Sequence, residues 1–231
     1  METSLHREMK LLYAGAAART EVRYGRYRVD AVVGDELVEI QHGRLGAISF
    51  KIAELLKEHT VRVVKPIVRE KFLVKRHRRG GKIVSRRRSP KRGQIFDLFH
   101  EMVYFTKVFP HPRLSIEAVL VDVEEYRFPG HGRRRRWGKN DHQVEDQLLV
   151  CVAESRVLRT AADLVSLLAC DLPKRFHTGQ LAEAIGKPRW MAQRVAYCLR
   201  ETGAAKIAGK QGNSLMYQLV GRGPGKRPRA A

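Results

Sequence analysis

The chain has 231 residues, 43% of them hydrophobic, and carries 45 Lys and Arg against 24 Asp and Glu, a formal net charge of +21. The length allows two small domains, each with a modest core, and the charge attracts polyanions over about a Debye length, roughly 8 Å at physiological salt. There is no run of about 18 apolar residues, and the N-terminus opens on a polar helical pattern rather than a signal peptide. These features argue against a membrane partner and lead us to expect a cytoplasmic protein that meets nucleic acid.

Taken in chain order, residues 4–14 read as a short helix with a Ser4 cap and with Leu5, Met9 and Leu12 at helical spacing. Strands follow over 27–33 and 37–41, joined by Gly34, Asp35 and Glu36. Ile48, Ile52, Leu55 and Leu56 give a helix up to His59, and Val61 to Val64 a brief strand. From Val68 to Arg92 apolar residues alternate with Lys and Arg around Gly80 and Gly81, the pattern of a basic hairpin or flexible loop. Gln94 to Phe109 reads as an amphipathic helix with Ile95, Leu98, Phe99, Met102, Thr106 and Phe109 on one side, stopped by Pro110 and Pro112. Strands over 114–127 and 144–157 flank a stretch carrying Arg133, Arg134, Arg135 and Arg136. A last folded unit spans about 160–220, and the Gly-, Pro- and Arg-rich tail from Gly221 is expected to be disordered. The three cysteines, Cys151, Cys170 and Cys198, are odd in number and widely spaced within apolar stretches. They read as core residues rather than a disulfide framework or a zinc site.

The register of the first hairpin can be argued. With Gly34 and Asp35 as turn residues and Gly34 supplying the positive φ of a type II′ turn, Asp30 lies opposite Glu39 and Arg28 opposite Gln41. The reverse face then gathers Val29, Ala31, Val33, Val38 and Ile40, an apolar set suited to packing under a helix. Two carboxylates about 5 Å apart at Cβ repel each other, and a cation relieves that repulsion. Magnesium, or manganese in its place, fits oxygen donors of this kind, so Asp30 and Glu39 are the candidate metal ligands. Glu8 lies beside the apolar stripe of the first helix and could reach the same hairpin. Lys51, early in the next helix, either projects toward the site or sits on a solvated face. The competing reading of the acids is an ordinary half-solvated hairpin whose polar residues alternate.

The run from Arg26 to Gln41, R-Y-R-V-D-A-V-V-G-D-E-L-V-E-I-Q, resembles the core of the PD-(D/E)xK nucleases. That resemblance implies a restriction-endonuclease-like αβββαβ core over residues 1–67, with Glu8, Asp30 and Glu39 at the acidic positions of a divalent-metal site that activates water against a phosphodiester. Gln41 stands where the family has Lys, a variant similar to the E-I-Q of competence-associated CoiA nuclease domains. The amide can orient water or phosphate but lacks the charge of an ammonium. Residues 68–157 are expected to elaborate this core as a β-rich basic middle region. Nucleases of this architecture often act as dimers, so a homodimer is a further expectation, although no heptad or extended apolar face demands one.

Residues 158–220 resemble a winged helix-turn-helix domain, giving an overall expectation of an α/β (α+β) protein. Ala161 to Cys170 form a first helix; Thr178 caps a second that Gly186 ends. Pro188 opens a third with Met191, Val195, Cys198, Leu199 and Thr202 inward. Its outward side carries Arg189, Trp190, Gln193, Arg194 and Tyr197, a set suited to phosphates and base edges. A wing follows with Lys210 at its polar tip. A protein-interaction module is the alternative reading of this unit. The basic residues Arg28, Arg76, Arg78, Arg79, Arg86, Arg87 and Arg88, with Arg133 to Arg136, are either solvated loops or contacts to a DNA backbone. The expectation is a magnesium-dependent endonuclease acting on duplex or branched DNA. A catalytically inactive DNA-binding regulator is the main alternative, and an RNA-binding protein the lesser one.

Overall fold

The computed structural model describes residues 3–15, 19–130 and 141–221. The segment with Arg133 to Arg136 and the tail after Gly221 lie outside the described residues. The fold is α+β, built on a seven-stranded mixed sheet. It begins with α1 (Ser4–Ala14), β1 (Arg19–Tyr24), β2 (Tyr27–Val33) and β3 (Glu36–Ile40), followed by a 3-10 turn (Leu45–Ile48), α2 (Ser49–Leu55) and β4 (Thr60–Arg76). Next come β5 (Ile83–Arg88), a 3-10 turn (Ile95–Asp97), α3 (Leu98–Met102), β6 (Leu114–Pro129) and β7 (His142–Leu158). Then α4 (Ala161–Ser166), α5 (Thr178–Ile185) and α6 (Arg189–Glu201) lead into a hairpin of β8 (Ala205–Gln211) and β9 (Ser214–Leu219).

The main sheet runs β1-β2-β3-β4-β6-β7, with β5 pairing the far end of β4. The β3–β4 and β4–β6 pairs are parallel and the rest antiparallel. Parallel strands are covered on both faces, which explains the unbroken apolar character of the central strands. Every residue of β6 from Leu114 to Val123 is buried. On one face α1 sets Leu5, Met9 and Ala14 against Ala31, Val38, Ile40, Val64 and Val121. On the other, Val63, Ile116 and Leu158 share a core with Ile52 of α2, Phe99 of α3 and Val195 and Leu199 of α6. The C-terminal helices are thus part of the sheet's own core.

The second hairpin has the expected register: Ala31 pairs Val38, Val32 pairs Leu37 and Val33 pairs Glu36. Gly34 has φ 57° while Asp35 stays at negative φ, as a II′ turn requires. Several elements differ from expectation. β1 was not anticipated; Glu21 at φ 55° interrupts its alternation, leaving only Val22 and Tyr24 against the core. β4 extends far past Val64, so residue 67 lies inside a strand and the middle region continues the same sheet. Its Pro66 is tolerated because β3 has ended by that point: the β3–β4 ladder stops at Ile40 and Val64. Residues 94–109 bury the expected side chains, including Leu98, Phe99, Met102 and Phe109. They do so with a 3-10 turn, a five-residue helix and further turns rather than one long helix.

Capping also differs. Thr3 caps α1, which frees Ser4 to hydrogen-bond Asp146, and His177 caps α5 through a reciprocal pair with Gln180. Of the cysteines only Cys198 is buried, while Cys151 is exposed on the edge strand β7. Among the described residues no helix is long and apolar enough to cross a membrane.

Candidate functional site

The ladder between β2 and β3 stops at Ala31 and Val38 because the strands splay beyond it. The Ile40 N–H that would have continued the ladder donates instead to Asp30 Oδ2 at 2.7 Å, and the next amide, Gln41, turns to Val64 of β4 at 2.9 Å. Asp30 therefore fills the opening between the two strands. Two elements close on it from opposite faces. α1 brings His6, whose Nε2 lies 3.1 Å from Asp30 Oδ1. α2 brings Lys51, whose ammonium donates to Glu39 Oε2 at 2.6 Å and to the Arg28 carbonyl. The expected neighbours Asp30, Glu39 and Lys51 are thus gathered, with Lys51 pointing into the site.

The two carboxylates differ in character. Burial raises the proton affinity of Asp30, but the His6 ring and the Ile40 amide outweigh it and hold its pKa below the usual range. Glu39 is 8% exposed, and its burial prevails over Lys51, so its pKa is raised.

The loop after β3 is held rigidly. Lys65 Nζ donates to the His42 carbonyl at 2.9 Å and the Gly43 carbonyl at 2.5 Å, and Gln41 Nε2 donates to the Arg44 carbonyl at 2.9 Å. Gln41 is thereby occupied in its own loop. Above the loop, the His42 ring stands 5.4 Å from the His6 ring, with its buried Nε2 unpaired.

Glu8 does not join the cluster. Its carboxylate accepts from the Leu149 amide of β7 at 2.6 Å. The expected stripe of Leu5, Met9 and Leu12 is rotated: α1 buries Leu5, Met9, Lys10 and Ala14 and leaves Leu12 exposed, which turns His6 to the site and Glu8 away. Lys10 is anchored by Glu21 of β1, and that pair fixes the rotation. Arg28 also leaves Gln41 and pairs with Glu21 at 2.5 Å. His6, His42 and Lys65 are the residues that sequence reasoning missed.

The burial of His42 beside His6 and Lys65 lowers its pKa from 6.5 to about 4. Its neutral form is the one the fold accepts, so the unfolded chain binds a proton between about pH 6.5 and 4 that the folded chain refuses. This contribution is complete above pH 6.5 and is lost as pH falls toward 4, by about 3 kcal/mol. Urea denaturation of wild type and His42→Phe across that window should show a steeper acid loss in wild type; parallel curves would contradict it.

Among the described residues no three of His, Cys, Asp and Glu are gathered as a ready metal cage. Magnesium needs less from a protein, since one or two carboxylates suffice when waters and substrate phosphate complete its shell. Asp30 and Glu39 offer two carboxylates, whose oxygens are engaged by His6, the Ile40 amide and Lys51.

The basic residues divide. Arg76 pairs with Glu145 and lies over Tyr126, Arg86 pairs with Glu124, and Arg88 pairs with Glu70. Arg78, Arg79 and Arg87 are exposed on the β4–β5 hairpin. On α6, Arg189, Trp190, Gln193, Arg194 and Tyr197 form an exposed face, and Lys210 is exposed on β8. The start of that face leans on α3: Arg194 Nη1 lies 2.6 Å from His100 Nδ1, and the Trp190 and His100 rings are 5.4 Å apart.

No solved structure matches the chain. An uncharacterized protein of Treponema pallidum (strain Nichols) is 29% identical over 229 residues, covering 98% of this chain and 89% of the relative, so the likeness includes the C-terminal helices. Residues 3–159 match a family model that ends where β7 gives way to α4, and on that match the chain belongs to the family described as Domain of unknown function (DUF8091).

Proposed function

We propose that the chain is a metal-dependent DNA endonuclease of the PD-(D/E)xK type, with a C-terminal winged helix that holds duplex or branched DNA. The observation that carries this reading is the convergence of Asp30, Glu39 and Lys51 in the splay between β2 and β3. The element order α1, β1, β2, β3, α2, β4 supports it, being the αβββαβ order that the resemblance of residues 26–41 implies. Asp30 and Glu39 would hold magnesium or manganese. When bound, that ion supplies Lewis-acid charge to the phosphate and lowers the pKa of water. Both carboxylates would serve the ion as oxygen donors, Asp30 steadied by His6 and the Ile40 amide and Glu39 by Lys51. Lys51 provides the ammonium absent at Gln41, reaching the site from α2 and offering positive charge to the phosphate as negative charge develops. If Gln41 does no more than hold its loop, and Lys51 only neutralises Glu39, the alternative is a DNA-binding protein without cleavage.

Incubation of supercoiled, linear and branched DNA with magnesium or manganese tests catalysis. The wild type is expected to cut and Asp30→Asn not to; no cutting by wild type, or equal cutting by both, overturns it.

For binding, three helices and the β8–β9 hairpin, with its two-residue turn at Gly212 and Asn213, have the order of a winged helix, and α6 exposes cationic and aromatic groups. Charge reversal at Arg189 and Arg194 should weaken duplex binding about tenfold or more and lower the salt slope by about 2, since each lost phosphate contact accounts for about 0.9. An unchanged affinity would remove α6 from the interface.

A further inference from the structure

A groove of about 1030 Å³ opens over β4, β5 and the end of β6. Its near end, at Ile67 and Val68, begins two residues along β4 from Lys65, while Lys75 on its far wall is ten residues from Lys65, roughly 30 Å at the rise of a strand. Strand alternation explains its charge. Leu73 pairs with Arg87 and Glu125, and Val74 pairs with Arg86 and Tyr126. Arg76, Arg86 and Arg88 therefore share one face, where each meets an acid. Lys71, Lys75, Arg87 and Arg127 share the other. There the buried Glu125 takes Lys71 and Arg127, leaving Lys75 and Arg87 without an ion-pair partner among the described residues. Lys91 at the rim also lacks one.

The acids of the wall do not compensate these cations. Asp97 is committed to capping the Gln94 amide, and Asp141 has interactions of its own. Ile67, Leu73 and Phe128 are the larger apolar side chains of its lining. Neighbouring cations around an apolar hollow repel one another in the free protein, and a polyanion relieves that repulsion. Cations interspersed with apolar and aromatic side chains match a single strand, whose phosphates meet the cations while its bases meet the apolar groups. A duplex keeps its bases stacked inside and has no use for such apolar contacts.

We propose that this groove binds one strand of DNA, with phosphates against Lys75, Arg87 and Lys91 and bases toward Leu73 and Phe128. The proposal rests on the DNA reading above and adds to it a second, strand-selective site. It is tested with the full chain by fluorescence anisotropy on labelled oligothymidine, oligouridine and duplex DNA across a salt series, using wild type, K75E/R87E and R189E/R194E. Both groove positions are exposed, and circular dichroism melts together with the milder K75A/R87A guard against misfolding.

K75E/R87E is expected to bind oligothymidine about tenfold or more weakly, with the salt slope reduced by about 1.4, two phosphates at about 0.7 each. Its duplex binding should change little. Wild-type affinity for oligothymidine in K75E/R87E overturns the groove and leaves the DNA reading standing. Equal loss on oligothymidine and duplex overturns the single-strand assignment, and a preference for oligouridine that the variant loses overturns the DNA assignment. Failure of wild type to bind any DNA overturns the underlying reading itself.

Discussion

Lys51→Ala should lower metal-dependent DNA cleavage by about 100-fold or more while leaving DNA affinity within a few-fold of wild type. The expected size is that of removing one preorganised charge from a site where negative charge develops. The ammonium reaches Glu39 at 2.6 Å from a helix that the core fixes through Ile52, so its position needs no substrate to create it. The loss should fall on kcat rather than KM, because an interaction made chiefly in the transition state leaves ground-state binding alone. Lys51→Arg, which keeps charge but changes shape, should recover part of the rate. Gln41→Lys in the Lys51→Ala background should not, since Gln41 is engaged with the Arg44 carbonyl and not with the acids. Equal rates in wild type and Lys51→Ala would reduce Lys51 to a counter-ion.

Phe99→Ala should destabilise the chain by about 3–5 kcal/mol, the usual cost of deleting a fully buried aromatic side chain. Phe99 is 0% exposed and belongs to the cluster that joins β4 and β6 to α6. Its backbone carbonyl also accepts from the Cys198 thiol of α6. Because that cluster is continuous, the sheet and the C-terminal helices should unfold together, and the variant should shift a single transition. Two separated transitions in urea, with only one moved by the substitution, would show that the C-terminal helices are an independent unit.

The parts of the fold that were legible share a cause. The hairpin at Gly34 could be registered from its turn, which pairs Val33 with Glu36, but its expected apolar face was divided: Val29 joined one core, Ala31, Val38 and Ile40 the other, and Val33 stayed exposed. The buried side of residues 94–109 could be listed because Leu98, Phe99 and Met102 fit any tight right-handed turn. Whether those turns are 3-10 or α depends on the surface they meet, which the sequence does not contain. The site followed the same division. Asp30 and Glu39 were readable as acids of one hairpin, although the ladder stops one pair short of them, and Lys51 could be placed within reach but not aimed.

His6 was missed in favour of Glu8 because a helix with few apolar residues has no unique inward face. Lys10, buried and tied to Glu21 of a strand that was itself unseen, decided its rotation. The length of β4 was hidden for a related reason. Lys65, Arg69 and Lys71 look like a strand's end until their partners at Gly43, Asp122 and Glu125 are brought beside them by folding. The basic hairpin was legible as charge, but which arginines are neutralised depended on acids that folding brings beside them: Glu145 of β7 for Arg76, Glu124 of β6 for Arg86 and Glu70 of β4 for Arg88.

Cleavage in the proposed site depends on Asp30, Glu39 and Lys51 acting together on DNA. The most direct measurement is the time course of nicking of a supercoiled plasmid by the full chain with manganese, beside Glu39→Ala at the same concentration. Relaxed and linear products are expected from the wild type and intact plasmid from the variant. Plasmid left supercoiled by both proteins, or nicked equally by both, would contradict the proposal.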